Sequence, residues 1–211
     1  MRGATPASWW MGCLFAVGSF CFALGSLPPF FTTVPATVVA WVFFVGSIFF
    51  TTAALVQFRE AVVAAAGRRT HGPDWRAGAV QLVGTVFFNV STFAATRQDL
   101  ASDQERHLIW APDLWGSVCF LVASVIAFGA VLRRVPGRPR DRMGTRIAAL
   151  NLIGSIAFGL AAIGARYLPT TGEPANIGLV NLGTFVGAVC FFIGAVLLPV
   201  QSARAEAAVT T

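Results

Sequence analysis

Reactive side chains are scarce in this chain, and those inside its apolar stretches carry no charge. Every Asp, Glu and His lies in a polar loop or at the edge of an apolar stretch. One loop, TRQDLASDQERHLIWAPD, groups Asp99, Asp103, Glu105 and His107. Asp103 and His107 stand four apart, so on a helix they would share a face and could offer a carboxylate and an imidazole to a cation. A single such pair at a wet membrane surface is more often a solvated, salt-linked face, and no metal is called for. His71, in RRTHGPD, has no partner at a telling spacing. There is no Ser-His-Asp arrangement with supporting context, no HExxH, no P-loop and no Gly-rich nucleotide fingerprint. A non-enzymatic protein without a cofactor is the expectation.

Uncharged polar residues inside the apolar stretches are the second source of chemistry. They are Gln57, Gln81, Asn89, Asn151 and Asn181. Within a bilayer such groups serve as interhelical hydrogen-bond partners worth about 0.6 kcal/mol on average, or they line a polar pocket. Gln81 and Asn151 each stand three residues before a Gly of the repeated motif described next, and so occupy equivalent positions. A pocket formed by Gln81, Asn89, Asn151 and Asn181 is the sharper expectation. It would suit a transporter of a small solute or lipid.

Six apolar stretches must position these residues, and all six carry one motif: Gly, a small residue, and Phe four positions after the Gly. The glycines are Gly18, Gly46, Gly84, Gly116, Gly154 and Gly187, and the phenylalanines are Phe22, Phe50, Phe88, Phe120, Phe158 and Phe191. Small residues recur seven and eight positions after each Gly, as Gly25-Ser26, Ala53-Ala54, Ser91-Thr92, Ala123-Ser124, Ala161-Ala162 and Gly194-Ala195. Positions seven apart share a helix face, and in lipid such faces are where helices approach closely. The motif reads as a packing seam in which a Phe fills the groove left by a neighbouring Gly.

The spacing exposes a repeat. Gly18 to Gly84 is 66 residues and Gly84 to Gly154 is 70, while Gly46 to Gly116 is 70 and Gly116 to Gly187 is 71. Odd stretches therefore repeat with odd and even with even, and the unit is a two-helix hairpin present three times. With 211 residues, 56% hydrophobic, 11% charged and a mean hydropathy of +0.72, the chain departs from ordinary soluble composition. We expect an all-α, polytopic integral membrane protein of six transmembrane helices, a single membrane domain with hairpins at about 8–58, 75–132 and 145–200.

The first stretch, about Ser8 to Leu27, could be taken for a signal peptide with Ala23-Leu24-Gly25 as a cleavage site. It shares the motif of the five later stretches, which favours its retention. The loop from 96 to 113, with Leu100, Leu108 and Ile109, has the amphipathic character of a short helix lying on the membrane surface, and the fourth span is placed from about Pro112. The most basic segment, Arg133 to Arg146, holds six arginines against Asp141.

All 15 cationic residues are Arg, and the net charge is +6. Placed in loops between spans, they orient the protein and meet anionic lipid, which sets nucleic acid aside. With both termini on one side, that side holds twelve arginines and the other three, so the termini are expected in the cytoplasm. Trp9, Trp10 and Trp75 then fall at one interface and Trp41, Trp110 and Trp115 toward the other, as aromatic anchors. Cys13, Cys21, Cys119 and Cys190 lie in apolar spans without C-x-x-C spacing and read as small buried hydrophobes. Partners expected from this surface are the lipid bilayer, another membrane protein, or a second copy of the chain.

The run Trp10, Gly12, Phe15, Gly18-Ser19, Phe22, Gly25-Ser26, followed by Trp41, Val45-Gly46-Ser47 and Phe49-Phe50, resembles the bacterial YrhK-like membrane domain, a two-helix unit. The resemblance covers about the first 60 residues. It implies a small protein of the bacterial inner membrane and supplies no catalytic residues; the chain departs from a single unit by continuing into three hairpins.

Overall fold

A computed structural model describes residues 6–67, 71–97, 99–133, 141–168 and 173–209. Its helices are α1 (Pro6–Gly25), α2 (Pro28–Phe31), α3 (Ala36–Ala65), α4 (Pro73–Ala95), α5 (Ser102–Glu105), a π-helical turn (Arg106–Trp110), α6 (Ala111–Leu132), α7 (Arg142–Gly164) and α8 (Ile177–Val209). Six of these, α1, α3, α4, α6 with its preceding turn, α7 and α8, are long and apolar enough to cross a membrane. The protein is an all-α polytopic membrane protein.

Local chemistry sets the helix ends. Pro28 and Pro73 open their helices, where a missing N–H costs nothing. Asp141 caps α7, its carboxylate accepting from the Gly144 N–H at 2.8 Å, and Asn176 accepts from the Leu179 N–H at 2.9 Å where α8 begins. Beyond the end of α3, Gly67 takes a φ of +79°, a left-handed turn that suits glycine.

Consecutive spans pack side by side, and α8 returns against α1, so the six close into a ring ordered α1, α3, α4, α6, α7, α8. Even numbering of spans puts the start of α1 and the end of α8 on one face, here termed the termini side. α8 carries Pro199, which cannot donate to the Ala195 carbonyl. Gly12 of α1 packs at that point: a Cβ there would stand 2.8 Å from the Ala195 oxygen and 3.0 Å from Pro199.

Within each hairpin the two motif glycines meet. A Cβ on Gly18 would lie 2.9 Å from the Gly46 carbonyl oxygen, one on Gly84 3.1 Å from that of Gly116, and one on Gly154 3.0 Å from that of Gly187. Each Gly also receives the partner helix's Phe: Phe50 on Gly18, Phe22 on Gly46, Phe120 on Gly84, Phe88 on Gly116, Phe191 on Gly154 and Phe158 on Gly187. Cys21, Cys119 and Cys190 sit in the same seams, their Cβ atoms against Gly46, Gly84 and Gly154.

The π-helical turn departs from the expectation of a separate surface helix before Pro112. Residues from Ser102 onward run continuously into α6, and the whole segment Ser102–Leu132 forms one span candidate. Pro112 lacks an N–H and its ring crowds the carbonyl four residues earlier, so the α pattern gives way in the preceding turn instead of ending there. α3 and α8 also extend past the expected ends near Phe58 and Val200, to Ala65 and Val209. Of the basic segment Arg133 to Arg146, residues 134–140 lie outside the described residues, as do Arg2, Arg68 and Arg69.

Candidate functional site

The six motif phenylalanines fill the axis of the ring. Phe50, Phe120 and Phe191, from α3, α6 and α8, form a closed triad with ring centroids 6.2, 6.0 and 5.7 Å apart. Phe22, Phe88 and Phe158, from α1, α4 and α7, form the second, with Phe158 5.8 Å from Phe22 and 6.1 Å from Phe88. Pairs within each hairpin join the two layers at 5.7, 5.2 and 5.5 Å. All six side chains are buried. Antiparallel helices place each Phe Cα about 6 Å beyond the shared Gly level, in opposite directions, yet helical side chains lean back toward their N-termini and bring the rings together. The cavity left between the triads is only about 10 Å³, at the lower limit for one water.

On the termini side of the Phe50, Phe120 and Phe191 triad the axis opens into a polar vestibule of about 70 Å³. Gln57, Gln81, Asn151 and Ser124 line it, together with Phe15 and Leu198. The side chains of Gln57, Gln81 and Asn151 make no hydrogen bond among the described residues, whereas Ser124 Oγ lies 2.8 Å from Ser155 Oγ and donates to the Asn151 carbonyl at 3.3 Å. Gln57 also borders a recess of about 340 Å³ at the termini-side surface, flanked by the exposed Glu60 and Asp74 and by Trp75. The two spaces thus share one residue, and the vestibule faces that surface.

The structure brings Gln81 and Asn151 to one cavity but not Asn89 or Asn181. Asn89 is eight residues, about 12 Å, farther along α4 and points to α3, where its Nδ2 donates to Thr51 Oγ1 at 2.9 Å. Its Oδ1 is buried without a partner among the described residues. Asn181 lies near the start of α8, on the side opposite the termini. Gln57 and Ser124 complete the lining. Gln57 stands eleven residues after its Gly on an even span, so the equivalence that linked Gln81 with Asn151 could not reach it.

The loop group does not converge. His107 Nδ1 donates to the Asp103 carbonyl at 2.8 Å and lies 3.4 Å from its carboxylate, but both side chains are largely exposed, while Asp99 pairs with Arg97 at 3.5 Å. Burial, and then the charge of Glu105, push the Tyr167 phenol above its usual range. Among the described residues no group of three or more His, Cys, Asp or Glu is placed to hold a metal. Trp110 is more than an interfacial anchor: its Nε1 donates to the Ala162 carbonyl at 3.0 Å and fastens the turn before α6 to α7.

Hydroxyls mark the junctions between hairpins. Ser47 and Thr92 join α3 to α4 at 2.9 Å, and Ser124 and Ser155 join α6 to α7 at 2.8 Å, with the Phe120 carbonyl 3.2 Å from Ser155 Oγ as a competing acceptor. At the α8 to α1 junction the counterpart of Ser155 is Ser19 and that of Ser124 is Ala195. Ser19 Oγ is buried and has no hydrogen-bond partner among the described residues. Compared with known proteins, this chain matches no family model, no curated protein and no solved structure.

Proposed function

We propose that this chain is a non-enzymatic, multi-pass protein of a bacterial inner membrane, with cytoplasmic termini, that works as a structural, partner-binding or accessory subunit. The observation that carries this reading is the filled axis: two triads of buried Phe leave about 10 Å³ between them, so the ring is sealed. The arginine asymmetry between the two sides supports the inner-membrane setting and the orientation. Native mass spectrometry of the protein released from nanodiscs tests it. A fixed stoichiometry with a second copy or a partner membrane protein is expected, and a bare monomer whose reconstituted form carries solute would overturn it.

A second reading, transport of a small solute, is favoured by the vestibule, where Gln57, Gln81 and Asn151 gather their carboxamides on the axis. Replacing both Gln81 and Asn151 with Leu separates the two. A structural subunit keeps its fold and its partner, whereas a transporter loses flux with its fold intact.

A further inference from the structure

We propose that the vestibule is a binding site for a small uncharged solute carrying both hydrogen-bond donors and acceptors, a simple amide in size and chemistry, admitted from the termini side. The inference rests on the transport reading and names its ligand. Three carboxamides, those of Gln57, Gln81 and Asn151, face one cavity without a hydrogen-bond partner among the described residues, and each offers two N–H donors and a carbonyl acceptor. The three residues are half-buried in a cavity that faces the termini side, so water can reach their carboxamides, and a solute that answers both donors and acceptors replaces that water bond for bond. At about 70 Å³ the space exceeds that needed for one water.

Charge narrows the class further. Among the described residues the lining includes no Arg, His, Asp or Glu, so a bound ion would be desolvated without a counter-charge. Beyond the carboxamides stand Phe50, Phe120 and Phe191, which close the site from the far side and present an apolar wall to a methyl group.

Saturation-transfer NMR of the full chain in nanodiscs, with acetamide, methylammonium and formate as probes, tests the site. Acetamide alone should receive saturation. The Gln81→Leu/Asn151→Leu protein should bind it about tenfold more weakly, two membrane hydrogen bonds having been lost, while Asn89→Leu, outside the vestibule, should leave it unchanged. If the double variant fails to fold, Gln57→Leu should weaken binding about threefold. Absence of acetamide saturation, an unaltered signal in the vestibule variants, or saturation of an ion instead would overturn the proposal. Stopped-flow acetamide flux into proteoliposomes is read separately. Saturation without flux ends the transport reading and leaves the site standing; no saturation ends the site whatever the flux.

Discussion

The seams inside the hairpins and the junctions between them solve the same packing problem differently. Inside, Gly meets Gly and each Phe covers the partner's Gly, three times over with the same residues. Between hairpins, one junction holds Ser47 with Thr92, the next Ser124 with Ser155, and the third leaves Ser19 alone beside a span that carries Ala195. The apolar seam is therefore what makes the hairpin a unit, and it is indifferent to which hairpin lies beside it. The hydroxyls distinguish the three junctions, and in lipid, where apolar faces attract one another no more than they attract acyl chains, a directional bond is a means of telling neighbours apart.

Breaking the shared part should cost most. Phe120 touches Phe50, Phe88 and Phe191, and Phe120→Ala should destabilise the bundle by about 3–5 kcal/mol in reversible unfolding in detergent micelles. Next comes Gly84→Ala, whose Cβ would stand 2.9 Å from both the Cys119 Cβ and a Phe120 ring carbon; a loss of about 1–3 kcal/mol is expected. Gly78→Ala on the same helix, where the nearest atom is 3.5 Å away, should be near neutral or slightly stabilising in the same assay. The contrast between those two substitutions reads the seam with helix propensity held constant.

Changing a junction should have a smaller effect. Ser155→Ala removes the bond to Ser124 and the competing one to the Phe120 carbonyl and should cost about 0.6–1.7 kcal/mol. Ala195→Ser supplies the hydroxyl that Ser19 lacks and should raise stability by about 0.6 kcal/mol. A loss on Ala195→Ser would mean that the third junction differs from the second in geometry as well as in sequence.

Much of the fold was legible because the motif is a helix-face pattern. Gly at the crossing and Phe four residues on fix which side of each span faces the others, and antiparallel connection does the rest. The vestibule was legible only in part. Gln81 and Asn151 each stand three residues before a motif Gly, and one helical position at one depth brought them together. Asn89, eight residues from Gln81, is turned about 80° from it at about 100° per residue, besides lying farther along the span. Gln57 joins from a span that runs the other way, and its distance from Gly46 says nothing of where it enters the cavity. The turn before α6 was hidden for another reason. Pro112 marks a helix start in sequence, and here continuity of the chain through a π-helical turn outweighs it.

Closure of the ring by α8 against α1 is the claim on which the filled axis and the vestibule depend. Cysteine cross-linking tests it directly: Ser19→Cys with Ala195→Cys, beside Ser124→Cys with Ser155→Cys as the pair whose hydroxyls stand 2.8 Å apart. Both pairs should form intramolecular disulfides under mild oxidation, each against the background of the four native thiols. A bond between 124 and 155 with none between 19 and 195 would contradict the closed ring and leave an open row of three hairpins.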